Sequence, residues 1–404
     1  MPKYLTLDEV DVRGKVVLVR VDFNSPLDPQ TKRVSDDTRI RAHGEATIRE
    51  LSEKGARVVV LAHQGRQGDP DFTSLKQHAE ILRKVLGRPV QFVEDVFGEK
   101  AQGRIKTLRD GDVLVLDNVR KYARETEKGT PETHAKTEFV QNLAPLADLF
   151  VNDAFAAAHR AHVSIVGFTQ KLRSVVGRIM ERELSSLSRI VDHPEKPCVF
   201  ILGGAKADDA LEISRYVLDK GIADYVLTGG VAGHVFLVAK GFDLGPPNME
   251  FLRSKQLLSY VSGIRHLMEK YSDKIKVPLD IAVEANALRR ELDVTQLPTK
   301  YLILDIGTRT VQAYAEIIGH ARSIVISGPL GVYENSNFVL GTKEIFGQAA
   351  NSGAFTLAGG GHTIAALQEL GLSKKISYIS TAGGALIEFL MGKDLPGVMA
   401  LKMQ

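Results

Sequence analysis

Short runs of Val, Ile and Leu alternate along the chain with longer stretches in which apolar residues recur every three or four positions. Residues 15–21 (KVVLVRV), 57–61 (RVVVL), 113–116 and 149–151 are apolar runs of strand length in the first part. Runs of this kind, without polar alternation, belong to strands covered on both faces, as in a parallel sheet flanked by helices. Residues 198–202, 225–228, 301–304, 324–327, 355–358 and 376–379 repeat the habit in the second part, again with helical patterns between them. The pattern predicts an α/β fold of two doubly wound parallel-sheet (Rossmann-like) domains.

Between the two sets, residues 177–192 (GRIMERELSSLSRIVD) place Met180, Leu184, Leu187 and Val191 at helical spacing with charges on the other positions. HPEKP follows and a new strand begins at once, so residues 176–193 read as a connecting helix and hinge. The length, 404 residues, agrees with two cores rather than one.

Charge and cysteine usage narrow the partners. The formal charge is +3 with acids and bases interspersed, which argues against a nucleic-acid partner and makes any basic site local. Cys198 is the only cysteine, so neither a disulfide framework nor a cysteine metal site is available. The opening MPKYLTLDEVDVRGK has no basic segment followed by an apolar one, and no run reaches membrane-spanning length. A cytoplasmic protein without a membrane partner is the expectation.

In doubly wound sheets ligands gather beyond the carboxyl ends of the strands. In the first part those positions hold Arg20, Asp22, Phe23 and Asn24, then His63, Gln64, Gly65 and Arg66, then Asp117, Asn118 and Arg120, then Asn152, Asp153, His159, Arg160 and His162. Arg39 joins them from the start of the next helix. Several planar guanidinium forks converging on one sheet end make an anion site. A single such arginine is more often a solvated surface charge, and His162 reads better as a structural histidine; a set after four successive strands reads as a site.

In the second part the same positions are glycine turns: Gly203, Gly204 and Lys206; Gly229 and Gly230; Ser327 and Gly328; Gly359, Gly360, Gly361, His362 and Thr363; Gly383 and Gly384. Such turns let backbone N–H groups at helix N-termini approach phosphate. One alone is only a tight connection, whereas five on one sheet suggest a nucleotide-sized ligand. The chain contains no G-x-G-x-x-G, no G-x-x-x-x-G-K-[ST], no H-E-x-x-H and no G-x-S-x-G, which weakens the dehydrogenase, P-loop, zinc-peptidase and serine-hydrolase readings.

As strings, these segments resemble the phosphoglycerate kinase family over nearly the full chain. RVDFNSPL at 20–27, DDTRIRA at 36–42, HQGR at 63–66, LDNVR at 116–120 and VNDAFAAAHRAH at 151–162 are similar to the family's first-half signatures. LGGAK at 202–206, SGPLGVYE at 327–334, GGGHT at 359–363, STAGGAL at 380–386 and LPGVMAL at 395–401 are similar to its second-half ones. The resemblance implies reversible phosphoryl transfer between ATP and 3-phosphoglycerate, giving ADP and 1,3-bisphosphoglycerate, with Mg2+.

It further implies that Asp22, Asn24, Arg39, His63, Arg66, Arg120 and Arg160 hold 3-phosphoglycerate, with Arg20 in the basic patch and Phe23, Gln64 and Gly65 in the same segments. Lys206, the glycine turns and Glu334 would bind the nucleotide, with Arg39 and Lys206 as the catalytic pair. It also implies a tail that returns to the first domain, hence domains at 1–175 with 390–404 and at 194–389. The implied acceptor is a carboxylate, with a reference pKa of roughly 3 to 4, so no general base is needed. Many members have Asp, Asn and a second Lys where His362, Ser327 and Ala210 stand; GGGH and the missing Lys resemble archaeal members. His362 is a poor Mg2+ ligand, which leaves the metal's protein ligands open. A monomer is expected, with a homodimer as the alternative. Two other classes stay open, an inert sensor that binds but does not turn over and a nicotinamide dehydrogenase.

Overall fold

A computed structural model describes residues 4–402. The chain divides into two compact units, 1–185 with 394–404 and 186–393. The division between the units falls within the helix Arg178–Val191, and the chain rejoins the first unit at Asp394.

The first unit carries one parallel sheet of β1 (Val16–Arg20), β2 (Arg57–Leu61), β3 (Gln91–Val93), β4 (Val113–Leu116), β5 (Leu149–Asn152) and β6 (Ser174–Val176), in the order β3-β4-β2-β1-β5-β6. The period-2 geometry of a strand explains why the apolar runs are unbroken. Val17, Val19, Val58, Val60, Val113 and Val115 pack on one face with Ile40, Leu51 and Leu82. Leu18, Val59, Leu61, Leu114, Leu116 and Phe150 pack on the other with Phe139 and Phe168. The closing segment docks here, where Gly397 donates its N–H to the Ala158 carbonyl at 2.8 Å.

The second unit carries β7 (Cys198–Leu202), β8 (Tyr225–Thr228), β9 (Ile275–Lys276), β13 (Ser323–Ser327), β14 (Phe355–Gly359) and β15 (Tyr378–Ser380), in the order β15-β14-β13-β7-β8-β9. One expectation is corrected. The run at 301–304 does not join this sheet; it becomes β12 (Ile303–Ile306), antiparallel to β10 (Asp280–Ala285), which pairs with β11 (Leu288–Asp293) in a separate three-stranded sheet. The hairpin between β10 and β11 turns through Asn286 and Ala287, both at positive φ. Val283 and Ile303 are core residues there while Leu288 is exposed, so this sheet is covered on one side only, unlike its parallel neighbours.

Candidate active site

The sheet order of the first unit puts the carboxyl ends of β2, β1 and β5 side by side, and the residues after them meet. Arg66, Arg120, Arg160 and His162 line a cavity of about 510 Å3 together with Gln67 and Tyr122. The turn after β2 is held open by Gly65 at φ +64°, where an added Cβ would sit 2.5 Å from the Asp71 carbonyl carbon. Arg120 donates to the Gly65 carbonyl, and Asn118 ties the turns after β2 and β4 together by donating to the Gln64 and Thr73 carbonyls at 2.7 and 2.8 Å. Burial, then the neighbouring Arg20 and Arg160 charges, pull Arg120 down to about 10. A site that disfavours its own cations in this way is built for an anion.

The remaining first-unit candidates adjoin this cavity through hydrogen bonds. Arg20 is buried, with Nε donating to Ser164 Oγ at 2.8 Å and Nη2 to His63 Nδ1 at 3.1 Å. Because a guanidinium only donates, His63 accepts at Nδ1 and is neutral; burial, then Arg20 and Arg120, hold its pKa well below the usual histidine value. Asp22 pairs with Arg39 at 2.6 Å, and Asn24 Oδ1 accepts from the Gly65 N–H at 2.8 Å. His162 is a lining residue as well as a structural one. Burial and the Arg20 and Arg120 charges push it down to about 3.

Three sequence-selected residues are buried against protein partners. The Phe23 ring is fully buried between His43 and His78, stacked on the latter with centroids 6.5 Å apart, so it is core. Gln64 is also fully buried, its amide engaged by the Ser25 backbone, the Asp71 carbonyl and His78 Nε2. Arg20 likewise has its guanidinium engaged by Ser164, His63 and the Val21 carbonyl.

In the second unit the turns after β7, β13, β14 and β15 surround a cavity of about 470 Å3. Gly203, Gly204, Lys206, Ser327, Gly328, Gly359, Gly360, Gly361, His362, Thr363, Gly383 and Gly384 line it. The helices Ala207–Asp219, Gly361–Glu369 and Gly384–Leu390 begin here without side-chain caps, which leaves their first N–H groups for a ligand. Hydrogen bonds lock the turns: Gly204 N–H to the Pro329 carbonyl at 2.7 Å, Gly230 N–H to that of Leu330 at 2.8 Å, and Gly328 N–H to the Thr363 side-chain Oγ1 at 2.8 Å. Lys206 and Lys393 are exposed cations on this lining, Lys206 lying 3.4 Å from Asp209.

Gly229, Gly230 and Glu334 do not line this cavity; the two glycines support the β7 turn from behind and Glu334 is exposed. Ile213, Ile387 and Met391 form an apolar wall that sequence reasoning missed, because the two isoleucines lie inside helices and Met391 at a helix end, with no motif to mark them.

The family model described as "Phosphoglycerate kinase" matches residues 7–393. The chain belongs to the phosphoglycerate kinase family. It is 45% identical over 400 residues to the enzyme of that name from Methanothermobacter thermautotrophicus, covering 99% of this chain and 97% of that one. It is 47% identical to the Methanobacterium bryantii protein, covering 98% and 97%. Among solved structures it resembles the phosphoglycerate kinase of Pyrococcus horikoshii OT3, with a TM-score of 0.87, 40% identity and 98% of both chains covered.

Membership gives this chain the family's reaction, reversible phosphoryl transfer between ATP and 3-phosphoglycerate with Mg2+, and removes the dehydrogenase reading. The likeness to archaeal kinases agrees with the three departures, all of which line the glycine-rich cavity: Ala210 buried in its wall, Ser327 and His362 on its lining. Among the described residues no group of three or more His, Cys, Asp or Glu side chains could hold a metal ion. Asp209 and Glu388 line the cavity without forming a cage. Mg2+ is usually held by one or two carboxylates together with substrate phosphates, so these two side chains could hold it only alongside a bound nucleotide. No helix among the described residues is long and apolar enough to cross a membrane.

Proposed function

We propose that the arginine-lined cavity of the first unit binds 3-phosphoglycerate or 1,3-bisphosphoglycerate and the glycine-lined cavity of the second binds ATP or ADP. The observation that carries this reading is the division of chemistry: guanidinium groups around one cavity, uncapped helix N-termini and backbone N–H groups around the other. Arg66, Arg120 and Arg160 are the direct anion contacts. Asp22 orients Arg39 through their ion pair, and Asn24 and His63 complete the wall.

The nucleophile is a carboxylate already ionised at neutral pH, so catalysis rests on positioning and charge stabilisation. Arg39 and Lys206 stabilise the oxygens of the phosphoryl group in flight, while the helix N-termini after the glycine turns neutralise charge on the nucleotide. Direct in-line transfer requires donor and acceptor to come within reach and water to be excluded, and residues 176–193 are the hinge for that closure. The protein acts as a cytoplasmic monomer.

The test is ADP formation by purified protein from ATP and 3-phosphoglycerate with Mg2+, the acyl phosphate being consumed by glyceraldehyde-phosphate dehydrogenase and NADH. Turnover that needs both substrates is expected. ATP binding without turnover would replace this reading with the inert sensor.

A further inference from the structure

Beside the arginine cavity lies a buried carboxylate that the reaction does not use. Glu125 is 1% exposed, in the loop after the turn that carries Arg120. Its carboxylate accepts from the Ser164 N–H at 2.9 Å and from Ser164 Oγ at 2.6 Å, and its backbone carbonyl accepts from the Val163 N–H at 3.1 Å. Ser164 Oγ in turn accepts from Arg20 Nε at 2.8 Å. The hydroxyl has one proton, so the chain has a fixed direction: Arg20 donates to Ser164 and Ser164 to Glu125.

The charged and titratable groups facing Glu125 are Arg20 from β1, Arg120 from the turn after β4 and His162 ahead of the helix Val163–Val166, its Nδ1 4.0 Å from the carboxylate. His162 is neutral, as its own burial among arginines requires. No guanidinium touches Glu125 directly; it feels Arg20 and Arg120 through the intervening hydroxyl and space. Two buried guanidinium groups without an anion between them repel, and a nearby carboxylate relieves that repulsion. Once a phosphorylated anion occupies the cavity the same carboxylate is a second buried negative charge, and its cheapest response is to bind a proton.

We propose that Glu125 is a proton-exchanging positioning residue of the anion site, holding Arg20 and Arg120 as their counter-charge while the cavity lacks an anion and taking up a proton from solvent when the anion binds. This rests on the assignment of the cavity to 3-phosphoglycerate. Burial, only partly opposed by Arg20 and Ser164, already lifts the Glu125 carboxyl to about 7, so the exchange falls at neutral pH.

The experiment is calorimetric titration of the whole protein with 3-phosphoglycerate at about pH 7.5 in two buffers of different ionisation enthalpy, where uptake of about half a proton is expected if the bound anion raises Glu125 by about one unit. Glu125→Gln should bind with no buffer dependence. Equal heats in both buffers for the native protein, or an unchanged buffer dependence in Glu125→Gln, would overturn the proposal. The native protein alone offers a second readout should that variant not fold. Its KM for 3-phosphoglycerate should rise by about fourfold from about pH 7 to about pH 8.5 while kcat holds, and a flat KM overturns the proposal. The ligand's own phosphate titrates near pH 6 and shifts affinity in the opposite sense. Arg160→Ala separates the two levels: undiminished binding in that variant would remove the site assignment itself, whereas its loss leaves the Glu125 result to stand or fall alone.

Discussion

Replacing Gly203 by Ala should damage nucleotide binding while sparing the first unit. A Cβ at this position would fall on the Pro329 carbonyl oxygen and 2.7 Å from that of Gly328, whereas ordinary contact begins at 3.4 Å. Both neighbours are backbone, so the β13 turn must retreat by several tenths of an ångström or more. That turn accepts the Gly204 N–H at Pro329 and donates the Gly328 N–H to Thr363, which sits in the first turn of the helix after β14. Overpacking costs about 1–3 kcal/mol, and weakening one of these hydrogen bonds adds about 1 kcal/mol. The loss of about 2–4 kcal/mol corresponds to a fall of about 30- to 700-fold in ADP affinity if the strain is relieved by opening the cavity. Calorimetric titration with ADP and, separately, with 3-phosphoglycerate reads both units in one protein, and a thermal melt registers strain taken up as lost stability. ADP affinity within about threefold of the native value in a protein with an unchanged melt would refute the reasoning.

The other perturbations act at single side chains. Arg39→Ala should lower kcat far more than nucleotide affinity, because Arg39 pairs with Asp22 in the first unit; equal losses in both would remove its proposed role. Lys206→Ala should weaken ATP binding and turnover together, and an unchanged ATP affinity would move this exposed lysine out of the site. Acid should destabilise the protein through its buried histidines: burial holds His78 and His234 down to about 4 and His162 to about 3. A depressed folded-state pKa contributes stability that is present above the unfolded value near 6.5 and is lost as pH falls toward 4 and below, by a few kcal/mol apiece. Glu125, raised to about 7, opposes this, since its folded form gains relative stability as pH falls from 7 toward 4.5. With His63 also held low, four histidines against the raised carboxylates Glu125, Asp305 and Asp209 leave a net loss, so the urea midpoint should drop between about pH 6.5 and pH 4.5; a flat midpoint would mean that the histidines are not held neutral.

Much of the architecture is written in local pattern. Unbroken Val and Leu runs require strands with two covered faces, and 15–21 and 57–61 became neighbouring strands feeding separate cores with alternate side chains. The run at 301–304 shows where this stops. Periodicity marks a strand but not its partner, and β12 pairs with β10 because the hairpin Asp280–Asp293 lies beside it in space.

The site divides in the same way. Being at the carboxyl end of a strand is a property of the sequence, so arginines and histidines in one unit and glycine turns in the other were legible from the chain alone. Whether a strand-end side chain faces ligand or core depends on what packs over it. Arg20, adjacent in sequence to the site segments, is sealed by Ser164, and Phe23 by His43 and His78. Glu125 had no sequence mark beyond a charged run; only the approach of Ser164 and Val163, distant in the chain, turns it from a solvated acid into a buried one. The sequence by itself determined the longer apolar strands of the two parallel sheets, their order along the chain and the chemical character of each sheet end, but not the short strands β3, β6 and β9 or the separate antiparallel sheet. The tertiary structure alone decided burial, and with it which charges touch ligand, which merely set the field, and which carry a displaced pKa, because desolvation is a property of the packed surroundings rather than of the residue.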